Sequence, residues 1–303
     1  MGSSYHNAFF SMNTRCHLVF PNLAHDYGDQ VFQEIKNEVF RVEKKLSRFI
    51  PESELSFVNT KAAKKPAPIG NELFNILQTC QTYWELTEGV FDITLRPLMR
   101  YWNEVTENGR DNERFDQIHK NVGMEHLYLD KINKTVTFDN ELIEIDLGGF
   151  GKGYALKNVE KLLRKYNVDI AFISFGESSI LTAGHHPAGD CWKLGMNNFL
   201  NPGTSIHEFH LKNGSMSTSA NFYLDNNKKL INNRHVIDPV RGVPIDDYIV
   251  VSVCAECPII AEVLSTAFLA SSDLMIKKTM KIVEGVKVAK VDYSSKIPTI
   301  KTY

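Results

Sequence analysis

Ile145-Asp146-Leu147-Gly148-Gly149-Phe150-Gly151-Lys152-Gly153-Tyr154-Ala155 is the stretch around which the chain is organised. A strand-like apolar run, Leu142, Ile143 and Ile145, carries Asp146 into a glycine-rich turn holding one lysine. The turn opens into a helix whose apolar residues, Leu156, Val159, Leu162 and Leu163, recur at helical spacing. Glycines let a backbone adopt φ > 0 and approach a ligand closely. A helix N-terminus offers unpaired N–H groups and partial positive charge, so strand, glycine turn and helix together read as an anion site. The spacing fits neither G-x-x-x-x-G-K-[ST] nor G-x-G-x-x-G, so a phosphate-like ligand would be held by another route. A tight turn with a solvated lysine accounts for the same residues equally well.

Outward from this stretch, the N-terminal side reads as a strand at 14–20 and a long helix from Asp26, with Val31, Ile35, Val39, Val42, Leu46 and Phe49 on roughly one stripe. A proline-containing turn follows at 47–55, a loop at 61–68, and a second helix at 73–86 that stops at Gly89. Residues 106–114 are polar and read as exposed, and short strands are expected near 127–130, 135–139 and 142–145. On the C-terminal side the pattern turns mostly to strands: 170–175, 180–184, 192–196, 206–212, 214–219 and 248–254. Helices at 259–270 and 272–282 and a strand at 286–292 close the chain. Helices interleaved with hairpin-connected strands indicate an α+β fold of mixed, largely antiparallel sheets. No repeat or low-complexity linker divides residues 1–303, which read as a single domain.

With 303 residues the chain can bury a substantial core, and its near-balanced charge of −2 argues against a nucleic-acid partner. No apolar run reaches the length of a transmembrane segment. Five scattered cysteines do not make a disulfide scaffold, and the N-terminus lacks the marks of a signal peptide. A cytoplasmic location is therefore expected, with export or lipid anchoring the alternative if a native leader has been removed.

Three further groups of residues carry candidate chemistry. In Arg234-His235-Val236-Ile237-Asp238-Pro239, strand alternation places His235 and Ile237 on one face. A histidine there can serve as general base, although a strand-end histidine bonded to its neighbours is the plainer reading. Glu262 and Thr266 share a helix face at i and i+4, with hard oxygen donors suited to Mg²⁺; an ordinary solvated helix face explains the same spacing. Cys254 and Cys257 form a lone C-x-x-C with no second pair for zinc, and read as structural cysteines rather than a redox site.

Taken together, the ordered motifs resemble the ApbE family, the FAD:protein FMN transferases, from about Phe10 to Ala270. The resemblance rests on Met12-Asn13-Thr14, on Leu46-Ser47-Arg48-Phe49 with Ser53-Glu54-Leu55 and Asn59, and on Phe91-Asp92-Ile93-Thr94 with Pro97-Leu98 and Trp102. It continues through the glycine turn, Ser217-Thr218-Ser219, His235-Val236-Ile237-Asp238-Pro239 and Leu264-Ser265-Thr266-Ala267. It implies an ApbE-like, T-fold-related architecture and a Mg²⁺-dependent enzyme that cuts FAD. FMN would pass to a Thr or Ser of an acceptor flavoprotein, and AMP would be released. By position, FAD contacts would come from Met12, Phe49, Val90, Phe91, Asp92, Asp146, Lys152 and Ile237. The metal would be held by Gly149, Glu262, Thr266 and Ser265, and His235 would be the base. Lys152 is expected to offset pyrophosphate charge.

The chain departs from the family pattern at Glu262, where Asp is usual, at Ala220-Asn221, where Gly-Asp is usual, and at Phe175-Gly176-Glu177, where Gly-Gly-Asp is usual. An FAD pyrophosphatase giving FMN and AMP, or a non-catalytic flavin-binding protein, are the alternatives these departures keep open.

Overall fold

The computed structural model describes residues 4–105, 109–227, 229–234 and 236–303. Its centre is an eight-stranded sheet, labelled here β1 (Tyr5–Ser11), β2 (Thr14–Phe20), β3 (Ala171–Phe175), β4 (Ser179–Ala183), β5 (Gly214–Ala220), β6 (Ile249–Ala255), β7 (Lys287–Asp292) and β8 (Thr299–Thr302). The strands lie side by side in chain order, and every neighbouring pair is antiparallel. The helices are insertions between these strands: α1 (His25–Leu46), α2 (Glu54–Lys61), α3 (Asn71–Leu86), α4 (Arg96–Glu104), α5 (Asn112–Lys120) and α6 (Gly151–Lys165) all come between β2 and β3. The remaining pair, α7 (Pro258–Ala270) and α8 (Asp273–Ile282), joins β6 to β7.

Both faces of the sheet are covered, so its sixth strand is apolar except at Ser252. In β6 all seven residues are buried. Successive side chains of a strand point to opposite faces. Accordingly, Ile249, Val251, Val253 and Ala255 join the large core with α1, α6 and α7, while Val250 and Cys254 join a smaller core on the other side. That smaller core is roofed by a hairpin, Trp192–Asn197 paired with Ser205–Leu211. A third cluster, Leu95, Leu98, Tyr101, Phe115, Ile118, Val122 and Ile237, holds α4 against α5.

The expected strand at 142–145 does not form as a sheet member. A single parallel bridge joins Leu95 to Glu144, and the Asp146 N–H donates to Ile93 O at 2.8 Å. The side chain of Asn59 takes both backbone groups of Ile145, donating to its carbonyl at 2.9 Å and accepting its N–H at 2.8 Å. A side-chain amide thus replaces a partner strand, which satisfies a buried peptide as well as a ladder would. Helix α4, with Pro97 in its first turn, was not expected, and neither were α2 and α5. The latter two each start at a polar N-cap, Ser53 accepting the Ser56 N–H at 2.9 Å and Asp111 accepting the Arg114 N–H at 3.0 Å, inside stretches that read as loops. The edge strands β1 and β8 were also not anticipated.

Candidate functional site

A cavity of about 460 Å³ opens where the glycine turn, the first turn of α4, the end of β5 and the middle of α7 converge. Two close approaches bring its walls together. A Cβ on Gly153 would sit 2.7 Å from Pro258 O and 2.7 Å from Glu262 Cβ, so only glycine lets α6 lie this near α7. A Cβ on Gly149 would lie 3.2 Å from the Thr266 hydroxyl, which places the turn directly against α7. Among the described residues no side chain caps α6, although Leu147 O accepts the Gly151 N–H at 2.8 Å, and the positive end of its dipole lies beside the cavity.

Glu262 is buried, yet each of its oxygens is occupied. Oε1 lies 2.6 Å from Lys152 Nζ, while Oε2 accepts from Ser179 Oγ at 2.7 Å and Ser217 Oγ at 2.9 Å. An ionised carboxylate is tolerated in a protein interior only with such compensation. Ser265 is fully buried behind this group, bonded to Ser219 Oγ at 2.8 Å, Ser217 Oγ at 3.1 Å and Glu262 O at 3.0 Å, and it does not line the cavity. Thr266 does line it, although its hydroxyl also donates to Glu262 O at 3.2 Å, the back-bonding common for a helical threonine.

Asp146 is fixed from two sides. Oδ1 accepts the Gly148 N–H at 2.8 Å and Oδ2 accepts from Arg48 Nε at 2.6 Å. The Arg48 guanidinium in turn stacks 3.8 Å above the ring of Phe49, which is 76 % exposed. Phe49 and Met12 line an adjoining hollow of about 190 Å³ that shares Arg48, Asp146, Gly148 and Lys152 with the main cavity. Met12 sits in a tight β1–β2 turn with φ of 50°, held by Glu43, which accepts its N–H at 2.8 Å and the Ser11 hydroxyl at 2.5 Å.

The other expected flavin contacts, Val90, Phe91, Asp92 and Ile237, line the main cavity with Gly149 and Lys152. Asp92 is committed to the local backbone: it accepts the N–H and hydroxyl of Thr94 at 2.7 and 2.6 Å and the Met124 N–H at 3.1 Å. Burial pushes its carboxyl above the ordinary aspartate value. Ile237 belongs to a two-residue strand, Ile237–Asp238, paired with Val243–Pro244. His235, the expected base, lies outside the described residues.

Sequence reasoning did not single out Arg48, Arg96 or Ser179 as site residues. Arg48 and Arg96 line the cavity, and Ser179 holds Glu262 from β4. Ala220-Asn221, noted as a departure, has a structural task. Asn221 is buried, donates to the carbonyls of Ile245 and Asp247, and accepts the Ile249 N–H at 2.9 Å. It thereby ties the segment carrying Val236 and Ile237 to the main sheet. Cys254 is buried in the smaller core, Cys257 is half-buried at the start of α7, and all five cysteines are free thiols. No helix among the described residues is long and apolar enough to cross a membrane.

For a divalent cation the donors are of the right chemical type: the Glu262 carboxylate, the Thr266 and Ser219 hydroxyls, which lie 3.4 Å apart, and the Gly149 backbone against Thr266. Among the described residues no three His, Cys, Asp or Glu side chains converge. Both Glu262 oxygens already have protein partners, so an ion there would have to displace Lys152 or a serine.

Known proteins bear on this geometry. The chain is 28 % identical over 247 residues to the FAD:protein FMN transferase of Chlamydia muridarum, covering 79 % of this chain and 73 % of that protein. It is 23 % identical over 289 residues to the FAD:protein FMN transferase of Escherichia coli K12, covering 92 % and 81 %. Among solved structures, the ApbE protein of Thermotoga maritima superposes with a TM-score of 0.83 at 21 % identity, covering 99 % and 96 % of the two chains. The flavin transferase ApbE of Vibrio cholerae superposes with a TM-score of 0.82 at 20 % identity, covering 100 % and 97 %. These superpositions establish the fold, and the ApbE family model matches residues 12–289; the chain belongs to the ApbE family.

Proposed function

We propose that this protein transfers FMN from FAD to a Thr or Ser hydroxyl of an acceptor flavoprotein, releasing AMP. The observation that carries the reading is the convergence in one cavity of the glycine turn, the Thr218-Ser219 strand end and the Glu262–Thr266 helix face. The cavity's size falls within the usual range for small-molecule and cofactor sites. Its apolar side, Val90, Phe91, Leu95, Met99 and Ile237, suits an isoalloxazine ring, and its polar side suits a pyrophosphate.

In the proposed step the acceptor oxygen bonds to the FMN phosphorus, and the bond from that phosphorus to the bridging oxygen breaks. The bridging oxygen leaves with AMP, and the hydroxyl proton passes to His235. A neutral hydroxyl needs such a base, and phosphoryl transfer otherwise asks mainly for positioning and charge neutralisation. Glu262, Thr266 and the Gly149 backbone would hold Mg²⁺, which supplies charge neutralisation on the pyrophosphate when bound. Lys152 and the N-terminus of α6 would add to that neutralisation from the protein's own atoms.

Incubation with FAD, Mg²⁺ and a Thr-bearing acceptor peptide, followed by mass spectrometry, tests the reading. The expected products are FMN-modified peptide and AMP, with His235→Ala strongly impaired. AMP and FMN without any modified peptide would replace transfer by hydrolysis. Intact FAD with no products would overturn catalysis altogether and leave a flavin-binding protein.

A further inference from the structure

Among the described residues, the cavity lining holds one cation with a buried donor atom that has no hydrogen-bond partner. Arg96 lines the cavity at the start of α4, and its Nε is buried without a hydrogen-bond partner among the described residues. The charges around it are Arg48, Arg100, Glu144 and Asp146. Both acids are already taken: Asp146 pairs with Arg48 at 2.6 Å, and Glu144 pairs with Arg100. Lys152, which lines the cavity with Arg48 and Arg96, is paired with Glu262. Arg96 is thus a third cation beside two closed ion pairs, and burial together with Arg48 depresses its pKa below the ordinary arginine value.

Helix stability does not explain this residue. A cation in the first turn opposes the helix dipole, which favours negative charge there. Arg96 is nonetheless held firmly, because Ile93 accepts the Asp146 N–H and Leu95 bridges Glu144, so the segment runs alongside the glycine turn. A guanidinium presents several donors in a planar fork suited to phosphate oxygens.

We propose that Arg96 binds a phosphate oxygen of the dinucleotide ligand, working across the cavity from Lys152. The assignment deepens the proposed function and rests on that reading for the identity of the ligand. It predicts that the affinity for phosphorylated flavin, but not for riboflavin, depends on the charge at position 96.

The test compares wild type, Arg96→Gln and Arg96→Lys by calorimetric titration with FAD, riboflavin and inorganic pyrophosphate, with thermal melts as the folding control. Loss of a charge-assisted hydrogen bond should weaken FAD and pyrophosphate binding by about 10- to 100-fold in Arg96→Gln. Riboflavin binding should be unchanged, and Arg96→Lys should recover part of the loss. FAD affinity equal to wild type in Arg96→Gln would overturn the assignment while leaving the transferase reading intact. Wild type that binds pyrophosphate through Arg96 but shows no affinity for FAD would leave the anion site standing and sink the flavin reading. Wild type that binds neither would overturn the assignment. Should Arg96→Gln fail to fold, Arg96→Lys alone decides: unchanged FAD affinity at low salt together with an unchanged salt slope overturns the assignment.

Discussion

The wall of the cavity built from α6 and α7 and the wall built from the start of α4 both present cations to the same space, but in opposite states. On the first, Lys152 is spent on Glu262, and two serines complete the carboxylate. On the second, Arg96 keeps a buried donor without a partner among the described residues. A protein interior normally pairs such groups, because an unsatisfied buried donor is costly. The closed wall therefore reads as a structure that also binds, and the open wall as a binding surface maintained against stability.

The largest expected effect comes from breaking the closed wall. Lys152→Met leaves Glu262 buried without its counter-charge and should cost about 3–5 kcal/mol in urea denaturation. Adding Glu262→Gln to it should recover much of that loss. Arg96→Gln, by contrast, should leave the urea midpoint within about 0.5 kcal/mol of wild type or raise it. If the two cations cost the same, the contrast between the walls is wrong.

Next in size is Gly153→Ala, whose added methyl meets Pro258 O and Glu262 Cβ. Forcing α6 from α7 should cost about 1–3 kcal/mol and loosen the Lys152–Glu262 pair, visible as a lower unfolding temperature and weaker FAD binding. A smaller effect is expected at Asn59→Ala, which strands both backbone groups of Ile145. Roughly 1–2 kcal/mol of stability should be lost, with faster amide exchange confined to the Asp146 turn.

The smallest effect lies behind the closed wall, where Tyr154 of α6 donates to Glu72 at 2.8 Å. Hydrogen bonding to Arg41 holds the Glu72 carboxyl at about 2, below its ordinary 4.5. A depressed carboxylate pKa stabilises the fold above the unfolded value and loses that contribution as pH falls through the folded one. Stability should therefore drop between about pH 4.5 and pH 2, and Glu72→Gln should flatten that part of the pH profile measured by thermal unfolding. An identical profile in the variant would remove Glu72 from the account.

Local periodicity was enough to read the long helix α1, the central strands and the glycine turn opening into α6, because apolar spacing of 3.6 or 2 is imposed by burial of one face. It failed at 142–145, where Asn59, far away in sequence, supplies the hydrogen bonds a strand would have supplied. It failed at α5 because the polar run around its N-cap, Asp111, masked the apolar pair Phe115 and Ile118. Arg96 was written in the sequence directly before Pro97-Leu98, but with no helix expected at 96–104 its place against a helix dipole was not legible.

The sequence by itself determined that an acid, a glycine turn, a lysine and a helix would stand in line at 146–155, and that Glu262 and Thr266 would share one face. Their local spacing dictates both. Only the tertiary structure decided that Lys152 is paired with Glu262, that Ser179 and Ser217 complete that carboxylate, and that Arg96 is left without a partner among the described residues. Whether a charge is paired depends on groups brought within a few ångströms from distant parts of the chain, which no local pattern records.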